Sequence, residues 1–149
     1  MRLTPIQRGG KLEPGVGPLP AEAGGVLQAT SELYEVVGFQ PPWICYLALT
    51  NGRVVGTCGF KSAPLQGRVE IAYFTFPGYE GKGVATQMAR QLLLIARDAQ
   101  SDLMVTAQTL PERNPSHRVL EKLGFVCIGN VQHPEDGTVL EWHKVGRVA

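Results

Sequence analysis

Few residues in this chain have types and spacing that could do chemistry, and two glycines come first. Gly81 and Gly83 stand between a β-branched, aromatic run over 69–76 and an apolar pattern at helical spacing. In that pattern Val84, Met88, Leu92 and Ile95 fall on one line, with Ala85, Ala89, Leu93 and Ala96 beside it. The run predicts a strand ended by Pro77 and Gly78, and the pattern predicts a helix that begins just after the glycines. A helix start exposes backbone N–H groups with no internal partner and carries partial positive charge. Glycines let an anion approach that backbone closely, so Gly81 to Thr86 form a candidate phosphate or pyrophosphate cradle. Two better-known phosphate loops are excluded. A nucleotide-triphosphate loop needs Lys-Ser/Thr after its last glycine, whereas Val84-Ala85 follow Gly83. The dinucleotide fingerprint needs a third small residue in step and an acidic residue about 20 positions on. Thr86 is no glycine, and Asp98 lies in the helix itself.

The other candidates are carboxylates, thiols and imidazoles. Glu70, on the strand before the glycines, and Glu141, in the last strand, are the carboxylates that could remove a proton from an amine. Their plain alternative is a solvated surface role, for Glu70 beside Arg68. The cysteines (Cys45, Cys58, Cys127) are far apart and odd in number, which argues against a disulfide framework. All three lie in apolar strand-like segments and are expected to be buried small hydrophobes. His117, His133 and His143 lack ligand spacing, so no metal is assigned.

The elements around these residues follow from pattern. Residues 2–6 predict a short opening strand at a sheet edge, because Pro5 cannot donate to a ladder. Glycines and prolines over 9–18 make a loop. Pro20 suits the first turn of a helix running to about Val37, with Gly38 stopping it and Val26, Leu27, Leu33, Val36 and Val37 on its apolar side. Trp43 to Thr50, the turn Asn51-Gly52, and Arg53 to Phe60 form a hairpin. Leu103 to Thr109 is a strand expected to pair parallel to 69–76 through a right-handed crossover. Ser116 to Leu123 is a short helix ended by Gly124, and 125–131 and 138–145 pair across a turn at 133–137. The fold class is α/β (α+β): a mixed sheet of about seven strands with three or four helices, in one domain spanning 1–149.

Composition agrees with an ordinary globular protein. Apolar residues make up 44% and charged ones 18%, and a net charge of +1 gives no electrostatic case for nucleic acid. No apolar run approaches the ~20 residues of a membrane span, and the N-terminus shows no signal pattern. A cytoplasmic location is expected.

Two motifs carry a family resemblance. Tyr79-Glu-Gly-Lys-Gly-Val-Ala-Thr86 resembles the acetyl-CoA-binding signature of the GNAT N-acetyltransferases, Arg/Gln-x-x-Gly-x-Gly/Ala, with Glu80 where Arg or Gln is usual. Asn114-Pro-Ser-His-Arg-Val-Leu-Glu-Lys-Leu-Gly-Phe125 resembles the helix and Gly-Phe motif of the same superfamily, closest to its RimJ/RimL-type branch of ribosomal-protein N-terminal acetyltransferases. The resemblance implies the GNAT acyl-CoA N-acyltransferase fold and direct transfer of an acetyl group from acetyl-CoA to a primary amine, either a small molecule or a protein N-terminus. It implies that the backbone of Gly81, Lys82, Gly83, Val84, Ala85 and Thr86 holds the pyrophosphate. It also implies that unpaired backbone N–H groups around Phe74, Thr75 and Phe76 stabilise the oxyanion, and that Asn114 is a cofactor contact shifted by one position from its usual slot.

For the base, the resemblance favours Glu70, with Glu141 or a water as alternatives. Leu120 occupies the position where many relatives carry a thiolate-protonating tyrosine, so Ser116 is the nearby hydroxyl left to assist, or else a helix cap. Tyr73, Tyr79, Trp43 and Trp142 are aromatics that line the pocket or fill the core. Cys127 has no activating His-Asp pair near it, which argues against an acylated enzyme. The departures at Glu80, Leu120 and Asn114 keep one alternative open: a catalytically weak acyl-CoA-binding or regulatory module. A homodimer through the last strands, rich in Val and Trp, is a further expectation.

Overall fold

Alternating apolar residues, a tight Asn-Gly turn and one long amphipathic helix produce a single mixed sheet. The computed structural model describes residues 1–145. Its strands are β1 (Arg2–Pro5), β2 (Cys45–Thr50), β3 (Arg53–Phe60), β4 (Arg68–Thr75), β5 (Met104–Thr109), β6 (Phe125–His133) and β7 (Gly137–Lys144). Its α-helices are α1 (Ala21–Val37), α2 (Val84–Ala99) and α3 (Pro115–Lys122), with a 3-10 turn at Arg8–Gly10. The sheet order is β1-β2-β3-β4-β5-β7-β6. Among the described residues the only parallel pair is β4 with β5, joined through α2.

Each face of the sheet buries its own cluster. Met88, Ala89, Leu92, Leu93 and Ala96 of α2 close over Val55, Cys58, Val69 and Ile71. On the other face Ile6, Val16, Leu47, Leu49, Val54 and Phe76 gather under α1, with Val26 and Leu27 packed against them. The α2 stripe is the predicted one. The α1 stripe holds only in part: Val26, Leu27, Leu33 and Val37 are half-buried, while Val36 is not. Ala23, Thr30 and Tyr34 are the buried positions of α1, and Val36 is 84% exposed, since it lies two residues, more than half a turn, beyond Tyr34. The Tyr34 hydroxyl donates to the Ile6 carbonyl at 2.8 Å and accepts from the Cys45 amide at 2.9 Å, so a polar tip fixes the helix where an aliphatic stripe was expected.

Boundaries shift slightly. Pro20 is the N-cap of α1, one position ahead of its first turn, and Gly38 ends the helix at φ +92°. Pro115, not Ser116, opens α3. The cysteines separate: Cys58 is buried, Cys45 half-buried and Cys127 exposed, because β6 is an edge strand that no helix covers at that point. The apolar expectation for Cys127 therefore fails for a tertiary reason. No helix among the described residues is long and apolar enough to cross a membrane.

Candidate functional site

Pairing between β4 and β5 runs only from Arg68↔Met104 to Glu70↔Thr106. Beyond Glu70, β4 stays bonded to β3 as far as Thr75, while β5 stays bonded to β7 as far as Thr109. The sheet therefore opens as a V in its middle. Antiparallel strands alternate hydrogen-bonded and non-bonded pairs. The bonds Phe76 N–H to Val55 O and Lys61 N–H to Glu70 O, both 2.9 Å, fix that alternation for β4. Even-numbered β4 residues face β3, and the odd ones face the gap. The Thr75 amide thus points into the V, whereas the Phe74 and Phe76 amides are turned to β3. Of the three predicted oxyanion donors, only Thr75 has its N–H where a reacting carbonyl could meet it.

On the α2 side the V opens into a cleft of about 620 Å³. Gly81, Gly83, Val84, Ala85 and Thr86 form one wall, Phe74 and Thr75 the floor, and Ser116, Arg118, Val119 and Lys122 of α3 the opposite wall. Gly81 and Gly83 have φ of +75° and +79°, and nothing lies within 4 Å of where a Cβ would stand on either. The left-handed turn and the open space together leave the backbone at the start of α2 accessible to an anion, as the sequence reading expects of a cradle. Lys82 is exposed and does not line the cleft. Glu80 lines the cleft as a carboxylate, and its Oε1 accepts from the Gly78 amide at 3.0 Å, which closes the turn.

Cations come instead from α3. Arg118 and Lys122, four apart on one helical face, line the cleft opposite the cradle. Their i, i+4 spacing, and so their shared face, was readable in the sequence, although the cleft that face lines was not. Asn114 is the N-cap of α3: its Oδ1 accepts from the Ser116 amide at 2.9 Å and its Nδ2 donates to the Glu112 carbonyl at 2.8 Å. With both ends of its amide engaged, it holds the helix, and it lines no part of the cleft. Leu120 is fully buried. Beneath α3, His117 Nε2 donates to the Leu110 carbonyl at 3.0 Å and lies 3.2 Å from the Thr109 hydroxyl, which also accepts from Trp142 Nε1 at 3.0 Å. This buried network anchors the helix that presents Ser116, and it makes Trp142 a core residue.

The opposite face of the V differs. Strand register puts Glu70, Thr106 and His143 in one row and Ala72, Gln108 and Glu141 among the side chains of the same face. Glu141 is fully engaged, accepting from Gln108 Nε2 at 3.1 Å and lying 3.1 Å from His143 Nε2. Glu70 is the freer carboxylate. Lys61 Nζ stands 3.4 Å from its Oε2, close enough for charge attraction but out of line for a hydrogen bond, and that buried oxygen has no other partner. The expected neighbour, Arg68, is not the one that pairs with it. Next to this row lies a second cleft of about 420 Å³, walled by Val26, Ala29 and Leu33 of α1 and floored by Phe60, Ala72 and Phe74. Cys45 also lines it, but burial pushes its thiol up to about 11, so it is a neutral wall.

A mixed sheet split between its parallel strands, with a glycine turn at the split, matches the acyltransferase architecture that the resemblance of the two motifs implies. The sequence profile of the acetyltransferase (GNAT) domain matches residues 20–126, and the chain belongs to that family. An uncharacterized N-acetyltransferase, p20, from Bacillus licheniformis is 33% identical over 74 residues, which cover 49% of this chain and 42% of that protein. The chain thus matches less than half of that relative's length. Among solved structures, RimL, a ribosomal alpha-N-protein acetyltransferase in complex with coenzyme A, superposes with a TM-score of 0.65 at 15% identity, over 83% of this chain and 71% of that one. The aminoglycoside acetyltransferase AAC(6')-Ib with coenzyme A and kanamycin gives 0.60 at 22% identity, over 68% and 66%. These two likenesses establish the fold.

Proposed function

We propose that this protein is an acetyl-CoA-dependent N-acetyltransferase acting by direct attack in a ternary complex. The V between β4 and β5 carries the reading, because it joins a cleft fit for an anionic cofactor to a carboxylate-bearing face. The backbone from Gly81 to Thr86 would hold the pyrophosphate, with Arg118 and Lys122 supplying the charge that Glu80 does not. Residues fit for the cofactor on one face and for the amine on the other allow the thioester to be attacked within the gap. There the Thr75 amide would donate to the developing oxyanion.

Glu70 is the base in this reading. It sits at the last paired position of β4, on the face opposite the cradle, with one buried oxygen uncommitted to a hydrogen bond. An incoming ammonium would lose a proton to the Glu70 carboxylate directly or through a water, and attack as the neutral amine. The acceptor cleft is lined mostly by aliphatic and aromatic side chains and carries a lysine, Lys61. It fits a primary amine bearing an apolar group, either a small molecule or a chain N-terminus with an apolar first side chain, better than a polycation. The cytoplasm is the proposed location, and residues 1–149 are proposed as one catalytic domain.

Calorimetric titration with acetyl-CoA and with CoA, followed by thiol release against an amine panel, tests the proposal. Binding with release establishes the transferase. Binding without release from apolar and polar amines alike favours the non-catalytic acyl-CoA-binding module. No binding removes the reading of the cleft.

A further inference from the structure

Among the described residues that line the second cleft, Lys61 is the one charged side chain. Its backbone amide donates to the Glu70 carbonyl at 2.9 Å, which fixes it beside that residue just past the end of β3. Its side chain is 47% exposed, and its Nζ stands 3.4 Å from Glu70 Oε2 without a hydrogen bond. Glu70 forms no part of the cleft lining, and that Oε2 is buried. Of the pair, the cation is the one the cleft presents. An ion pair this exposed and without a hydrogen bond holds together weakly, so a better partner can draw the lysine away. A bare ammonium is a worse partner, because it meets Lys61 as a like charge between apolar walls that screen little. A carboxylate is a better one, since it can take charge-assisted hydrogen bonds that Glu70 Oε2 does not make.

We propose that Lys61 reads a carboxylate on the acceptor, so that the amine this site takes is a free α-amino acid with an apolar side chain rather than a chain N-terminus. The inference rests on the acetyl-transfer reading of the site. At a chain N-terminus the α-carboxyl has become an uncharged peptide group, which leaves the ammonium beside Lys61 with nothing to balance it. In a free amino acid the ammonium and the carboxylate flank one carbon, across two bonds of about 1.5 Å each. Such a molecule sets its carboxylate against Lys61 and its ammonium against Glu70, exchanging the weak internal pair for a pair at each end. Drawing the lysine off also uncovers Glu70 for the ammonium it is to deprotonate. The side chain falls to Val26, Ala29, Leu33 and Phe60, an apolar pocket with one placed polar group.

The test is a calorimetric titration of the CoA-saturated protein, which has no acetyl group to transfer, with leucine and with leucinamide. Leucine is expected to bind at least about tenfold more tightly, as for a charge-assisted hydrogen bond gained. Lys61→Met is expected to bring the two ligands within about twofold of each other, and Lys61→Arg to keep the preference. A merely structural role for Lys61 would weaken both ligands together and leave their ratio where it stood. In thiol release from acetyl-CoA, kcat/KM for leucine is expected to fall at least about tenfold more in Lys61→Met than kcat/KM for leucinamide. Equal affinity for leucine and leucinamide in the wild type, or none for either, overturns the role of Lys61. Release with leucyl-glycine but not with leucine assigns the cleft to a chain N-terminus, and it overturns the inference while leaving acetyl transfer standing. Failure of the wild type to bind CoA overturns both.

Discussion

Gly83 concentrates the risk in this site at a single residue. With φ at +79° and nothing within 4 Å of a Cβ position, the backbone is strained for any side chain, and the space belongs to the cleft. Gly83→Ala is expected to cost about 1 kcal/mol of stability, the usual penalty of a left-handed non-glycine. Gly83→Asp adds a negative charge beside the bound anion and is expected to weaken acetyl-CoA binding by at least about 100-fold in a calorimetric titration. Glu70→Gln should do the reverse: binding of acetyl-CoA unchanged, kcat lower by about 100-fold at neutral pH. Undiminished turnover in that variant would pass the base to Glu141 or a water. The cradle glycines were legible because a turn into a helix demands them at fixed positions. The Thr75 amide was legible only as one of three, because strand parity needs a partner strand to define it.

At the scale of elements, α1 and α3 are the parts the sequence described least well. Tyr34 ties α1 to β1 and β2 through two buried hydrogen bonds, and Tyr34→Phe leaves the Ile6 carbonyl and the Cys45 amide without that partner. A loss of about 1–3 kcal/mol is expected in denaturant unfolding. Because α1 walls the second cleft, the KM for the amine should rise while the affinity for acetyl-CoA holds. A change in acetyl-CoA affinity instead would mean that the two clefts are not separately walled. His117 does the corresponding work for α3 through Leu110 and Thr109, and no spacing rule marks a histidine for that task. The start of α2 at Val84 was legible, since its apolar stripe repeats over four turns against one sheet face.

The whole molecule is two sheet halves joined by three residue pairs between β4 and β5, with buried phenols and thiols along the first half. Burial pushes Cys45 up to about 11 from 9.0 and Tyr46 and Tyr73 up to about 12 from 10.0, and it raises Cys58 and Tyr34 as well. Each is neutral when protonated, so the folded state holds these protons more tightly than the unfolded chain. That contribution is full below about pH 9, the ordinary thiol value, and is lost as the pH climbs toward the folded-state values. Chemical denaturation at a series of pH values should show stability falling from about pH 9 upward, and a flat profile to pH 11 would contradict the burial of these groups. The dimer expectation also belongs to this scale. Trp142 is in the core, so an edge contact would rest on Val126, Ile128 and Val131 of β6, which are exposed.

The sequence by itself determined the strand and helix order, the parallel crossover and the glycine turn that opens α2. Each of these is a local signal: a period, a turn residue, a glycine at a helix start. Only the tertiary structure decided which carboxylate is free, which amide faces the gap, and which cations line the cleft. Glu141 is spent on Gln108 and His143, residues at sequence distances no period encodes, while Glu70 keeps an oxygen without a hydrogen bond. Arg118 and Lys122 matter because α3 turns that face to the cleft. Side-chain chemistry is written one residue at a time, but burial, pairing and facing are properties of the strands and helices that close around it.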